Sequence, residues 1–122
     1  MSKRKILLVD DSEIVREVVR EILELGGYEV ATHGSAFGFS SVLRRQRPDL
    51  VLLDVGMTAL TGDKVAAIAL RNHIHDCPLV LFSDRSPTEL ARLVKECGAD
   101  GFINKTEDSG ALLRAVSRFL HF

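Results

Sequence analysis

Long apolar runs are missing from this chain of 122 residues. None approaches the roughly 18 to 20 residues that a bilayer crossing needs. The stretch behind the basic start Met1-Ser2-Lys3-Arg4-Lys5 is only Ile6 to Val9, too short for the core of a signal peptide. The expectation is a cytoplasmic globular protein without membrane contact. An excess of one charge is missing too: 16 Lys and Arg against 17 Asp and Glu leave a net charge of −1. That balance gives no global attraction to nucleic acid or anionic lipid, so direct nucleic acid binding is not expected and partners should meet a local surface. Cysteine is scarce. Cys77 and Cys97 have neither CxxC spacing nor paired histidines, and read as buried or idle thiols rather than a disulfide or metal site. Linkers, repeats and low-complexity segments are also absent, and the length suits one domain over residues 1–122.

What is present is a strict alternation of strand and helix signals. Lys5 to Val9, Leu50 to Leu53 and Leu79 to Phe82 are short unbroken apolar runs, the mark of strands covered on both faces. Tyr28 to His33 is mixed and Gly101 to Asn104 is short, as edge strands are. Ser12 to Leu23 puts Ile14, Val15, Val18, Val19, Ile22 and Leu23 on one helical stripe, stopped at Gly26-Gly27 by the left-handed conformation glycine allows. A second helix is expected from about Ala36 to Arg47, ended by Pro48, and a third from Gly62-Asp63-Lys64 to about His73. Ser86-Pro87-Thr88-Glu89 reads as N-cap, first-turn proline and capping-box partner of a fourth helix that ends near Cys97-Gly98. Asp108 or Ser109 caps the last helix, with Leu112, Leu113, Val116, Phe119 and Leu120 on its stripe. Five βα units require a parallel sheet with right-handed crossovers. The expected fold is α/β, flavodoxin-like and doubly wound, (βα)5 in strand order 2-1-3-4-5, although periodicity alone does not order the three central strands.

The strand ends carry the chemistry. Asp10 and Asp11 follow the first strand, Asp54 ends the third, Ser83 the fourth, and Lys105 follows the fifth. All five reach the carboxyl rim, where open α/β sheets bind their ligands. Three crowded carboxylates repel, so either their proton affinity rises or a cation neutralises them. An all-oxygen site without His or Cys suits Mg2+. The fitting reaction is phosphoryl transfer to a carboxylate, with Asp54 as nucleophile, Lys105 and the metal countering charge, and the Ser83 hydroxyl donating to a phosphoryl oxygen. Taken singly, each residue has a plainer reading: a helix-capping acid pair, a loop serine, a surface lysine. Their agreement in order along the rim favours the site.

At these residues the whole chain resembles the receiver domain of bacterial two-component response regulators. The resemblance rests on Val9-Asp10-Asp11-Ser12, on Leu52-Leu53-Asp54-Val55-Gly56-Met57, on Gly62, on Ser83, and on Gly101-Phe102 followed by Lys105. It implies that Asp54 takes a phosphoryl group from a histidine kinase or phosphotransfer protein, and that the chain catalyses this transfer and its own dephosphorylation. It further implies Mg2+ held by Asp11 and Asp54, with the Gly56 carbonyl as a ligand and Asp10 acting through water. Phosphorylation would draw Ser83 and Lys105 inward and let Phe102 swing in. That change would reshape the surface of the fourth helix, fifth strand and fifth helix for a downstream target.

Four positions depart from the family pattern. Thr106 stands where a proline joined by a cis bond usually follows the lysine; before threonine a cis bond costs ~2.5 to 4 kcal/mol, so a trans bond is expected and the aim of Lys105 is affected. Thr58 replaces a loop proline, Asp84 a small residue beside the phosphoryl position, and Phe102 lacks the tyrosine hydroxyl common there. Asp84 reads first as a solvent-facing loop acid and second as a regulatory charge. Gly56 and Arg85 occupy the positions that screen the attacking water in this family. Two other functions compete: a receiver-like interaction module independent of phosphorylation, motivated by Asp84 and Thr106, and a flavodoxin-like nucleotide or flavin binder. Acids after the first strand argue against the last, since a phosphate cradle needs glycine or hydroxyl-rich loops.

Overall fold

A computed structural model of the chain describes residues 3–35, 37–56, 64, 67–68, 70, 76–105 and 108–120. Its elements run β1 (Lys5–Val9), α1 (Glu13–Leu25), β2 (Glu29–His33), α2 (Phe39–Gln46), β3 (Leu50–Asp54), β4 (Leu79–Ser83), α3 (Pro87–Cys97), β5 (Gly101–Asn104) and α4 (Ser109–Leu120). Between β3 and β4, Lys64, Ala67, Ile68 and Leu70 are helical; the rest of the helix expected from Gly62 to His73 lies outside the described residues. The five strands form one parallel sheet in the order β2-β1-β3-β4-β5. The apolar runs are the central three strands and the mixed or short ones are the edges. No helix among the described residues is long and apolar enough to cross a membrane.

Strand alternation sends side chains to two cores. Leu7, Val9, Val51, Leu53, Leu79 and Leu81 pack under α2 and α3, while Ile6, Leu8, Leu50, Leu52, Val80 and Phe82 pack under α1 and α4. Both faces of the sheet are therefore dry, which is what the unbroken apolar runs require. Cys77 and Cys97 are free and buried, and burial pushes the Cys77 thiol up to about 12, leaving it unreactive at neutral pH.

Local details refine the sequence reading in four places. Only Val19 and Leu23 of α1 are buried, while Ile14 and Val18 are exposed, because α1 covers one sheet face with α4 as its helical neighbour. Gly26 caps α1 in the right-handed region and the left-handed residue is Gly27, at φ +95°. Helix α2 starts at Phe39 rather than near Ala36, because Gly38 at φ 72° breaks the helical path without offering a side-chain cap. Ser86 accepts from the Glu89 N–H at 3.2 Å, but the return bond of a capping box, from Glu89 to Ser86, is absent among the described residues.

Candidate functional site

Parallel register builds the site. Val9 pairs with Leu53, so Asp10 and Asp54 stand level on neighbouring strands. Asp54 pairs with Phe82 and Ser83 with Asn104, which brings Ser83 and Lys105 to the same rim. Asp10 is fully buried, Asp54 nearly so and Ser83 likewise, whereas Asp11 is exposed. One carboxylate oxygen from each of Asp10, Asp11 and Asp54 lies within 4.8 Å of the others. Lys105 reaches across from β5: its Nζ is 2.7 Å from Asp10 Oδ2 and 3.4 Å from Asp54 Oδ1. That ammonium is the one cation beside Asp10 Oδ2, a buried oxygen with no other donor among the described residues. The Phe82 ring, 5.4 Å from Nζ, backs the lysine.

The turn after β3 shapes the acceptor. The Gly56 N–H donates to Asp54 Oδ1 at 2.8 Å, and a Cβ on Gly56 would crowd that oxygen at 3.1 Å. Both described contacts of Asp54 fall on Oδ1, leaving Oδ2 without one among the described residues. Burial pushes the Asp54 carboxyl above the usual aspartate value and the Asp10 charge adds to this, while the Gly56 N–H and Lys105 pull it down. For Lys105, burial works to lower proton affinity, but contact with Asp10 and the charge of Asp54 outweigh it and raise it. The site thus holds more negative charge than one lysine neutralises.

Other predicted residues lie around this centre. The Ser83 Oγ accepts from the Arg85 N–H at 3.1 Å, and its carbonyl accepts from the Lys105 N–H at 2.8 Å. Arg85 extends to the Val55 carbonyl at 3.4 Å. Phe102 is half-buried and packs against the core on the α3 side of the sheet. Asp84 is exposed and makes no hydrogen bond or ion pair among the described residues, as the solvent-facing reading of that loop acid has it. Thr58 and Thr106 lie outside the described residues. Two contacts escaped the sequence reading: the Asn104 amide donates to the Arg85 carbonyl at 2.9 Å, and Arg16 donates to the Asp10 carbonyl at 2.7 Å. A signal for Arg16 exists, since a charged residue three before Val19 and seven before Leu23 falls on the buried stripe of α1. A cavity of about 890 Å³ opens at the other rim, among Arg4, Arg47, Asp49, Cys77 and Asp100, away from Asp10, Asp11 and Asp54.

A family model described as the response regulator receiver domain matches residues 6–117. The chain belongs to that family. Among relatives of this receiver domain, the transcriptional regulatory protein CseB of Streptomyces avermitilis is 31% identical over 119 residues, covering 93% of the chain and 48% of CseB. The autoinducer sensor kinase/phosphatase CqsS of Vibrio cholerae is 33% identical over 122 residues, covering 97% of the chain and 18% of CqsS. The receiver domain therefore spans about half or less of the length of these curated relatives. Among solved structures, the chemotaxis protein CheY4 of Vibrio cholerae superposes with a TM-score of 0.85 at 28% identity, covering 98% of this chain and all of that one. A response regulator from Thermotoga maritima, at 24% identity and a TM-score of 0.83, shares the fold over 99% of this chain and 100% of that one. The protein is thus a receiver domain of two-component signalling, a class that works between kinases and downstream effectors.

Proposed function

We propose that Asp54 accepts a phosphoryl group from the phosphohistidine of a histidine kinase or phosphotransfer protein, in a Mg2+-dependent step within one cytoplasmic domain spanning residues 1–122. The observation that carries this reading is the convergence of three carboxylates within 4.8 Å beneath an ammonium at 2.7 and 3.4 Å from two of them. The donor set fits a hard divalent cation. It is all oxygen and its charge exceeds what Lys105 offsets, while burial, with the Asp10 charge adding to it, raises the proton affinity of Asp54. Asp11 and Asp54 would hold Mg2+ directly, with the Gly56 carbonyl as a further ligand and Asp10 through water. Bound there, the metal supplies neutralisation of phosphoryl oxygens and of the carboxylates.

The chain's own residues do the rest. Asp54 Oδ2, which makes no contact among the described residues, attacks phosphorus; the P–N bond to the donor imidazole breaks, and the imidazole leaves in its neutral form with a proton taken from solvent. Lys105, already level with the acceptor, stabilises negative charge on the transferred group. The Ser83 oxygen accepts from the Arg85 amide and so retains its hydroxyl proton for a phosphoryl oxygen. A phosphoryl group carrying about −1.5 to −2 in place of the carboxylate's −1 then biases the β4–α3 loop and Phe102, altering the surface of α3, β5 and α4 for a downstream partner.

Incubation with Mg2+ and acetyl phosphate followed by intact-mass measurement tests the reading. A phosphoryl adduct is expected on the wild type and not on Asp54→Asn. An adduct that persists in Asp54→Asn, or its absence from the wild type with every donor offered, would refute it.

A further inference from the structure

Of the two arginines in α1, Arg20 is exposed and Arg16 half-buried. Arg16 sits on the stripe that faces the sheet and reaches back six residues, where Nη1 donates to the Asp10 carbonyl at 2.7 Å. Gly34, just past β2, makes the room for it: a Cβ there would stand 2.9 Å from Nη1 and 3.2 Å from Cζ of Arg16. Gly34 has no positive φ, so this position uses the missing side chain rather than the backbone freedom of glycine.

The strand tip is fixed on every side but one. The Asp10 N–H donates to the His33 carbonyl at 3.0 Å and the Asp10 carbonyl accepts from Arg16. The Asp10 carboxylate takes the Ser12 N–H at 2.9 Å through Oδ1 and Lys105 at 2.7 Å through Oδ2. Asp11 has no hydrogen bond or ion pair among the described residues, although one of its oxygens lies within 4.8 Å of those of Asp10 and Asp54. The aim of its carboxylate is set by the peptide plane that precedes it, and the carbonyl of that plane is the atom Arg16 holds.

We propose that Arg16 is a positioning residue: by holding the Asp10 carbonyl it fixes the direction in which Asp11 presents its carboxylate to a divalent cation. This rests on the Mg2+ site proposed for the acid triad. The charge of Arg16 and its geometry act with opposite signs. A guanidinium near a cation site repels the cation, so an effect through charge makes removal of Arg16 tighten binding. An effect through position makes removal weaken binding, as loss of a group that orients a metal ligand does by ~10 to 100-fold.

Calorimetric titration with MgCl2, beside thermal melts in chelator, tests this on wild type, Arg16→Ala, Arg16→Lys and Gly34→Ala. Mg2+ affinity of Arg16→Ala is expected to fall by about tenfold or more, with partial recovery in Arg16→Lys and on addition of methylguanidinium to Arg16→Ala. Gly34→Ala keeps every charge but pushes the guanidinium off the carbonyl, so its affinity should fall as well. Equal or tighter binding in Arg16→Ala overturns the proposal, as does a lowered melting temperature with unchanged affinity. Should Arg16→Ala fail to fold, unchanged affinity in Gly34→Ala overturns it alone. A wild type that binds no Mg2+ would instead remove the metal site itself.

Discussion

At the scale of single residues, the site is a buried charge imbalance. Asp54 holds its proton more tightly than an ordinary aspartate, with burial as the leading cause. The folded state therefore takes up a proton at a pH where the unfolded chain, with an ordinary value near 3.8, does not. Stability owed to this group is lost as pH rises above 3.8 and through the raised value, and the ionised carboxylate is a net cost at neutral pH. Asp54→Asn should accordingly melt higher than wild type at pH 7 in chelator, with the gain shrinking as pH falls toward 4; a lower melting temperature at pH 7 would count against this balance. Lys105 has the same sign of dependence in a far more alkaline window. Its raised proton affinity contributes stability that is complete below 10.5 and lost as pH climbs through the higher folded value. The acids and the lysine were legible in the sequence because each stands at or just past the end of an expected strand. Arg16 stood out only as a charge on the buried stripe of α1; its partner was not legible, because that partner is a backbone carbonyl and its space depends on Gly34 just past β2.

At the scale of elements, capping signals set where the helices start. Ser12, Ser86 and Asp108 each accept from the backbone N–H of the third residue of the helix they open. Ser86→Ala should destabilise the domain by ~1 kcal/mol, measurable as a shift of the denaturant midpoint at unchanged slope. The cap carries this alone because Glu89 makes no return bond, so Glu89→Ala should have a smaller effect than Ser86→Ala. Gly101 marks a second constraint of this kind: a Cβ there would meet the Phe119 ring at 2.6 Å. Gly101→Ala should therefore cost about 1 to 3 kcal/mol by overpacking α4 against β5, and a neutral result would show that the ring shifts freely. Strand identity and order were readable from apolar runs and edge character. Helix limits were less so, since the sequence marks a glycine as a stop without saying which of Gly26 and Gly27 turns left-handed, or that Gly38 delays α2. The apolar periodicity of α1 likewise overstated its buried face, for Ile14 and Val18 satisfy the pattern and stay in solvent.

At the scale of the whole molecule, a dry sheet covered on both faces holds an unbalanced acidic rim, and the proposed cation site would link binding there to stability. A cation that binds only the folded state adds stability by mass action, ~2.7 kcal/mol at a concentration one hundred times its Kd. The melting temperature should rise with Mg2+ in wild type and stay flat in Asp11→Ala, the exposed member of the triad whose loss leaves the buried pair with Lys105 intact. A parallel rise in both proteins would move the cation elsewhere on the surface. The measurement that bears most directly on the central claim is chemical trapping of the acyl phosphate: treat the protein with acetyl phosphate, with and without Mg2+, reduce with borohydride, and map the modified residue by peptide mass. Homoserine at position 54, formed only with Mg2+, is the predicted result; a modified residue elsewhere, or none at Asp54 with Mg2+ present, would contradict the account.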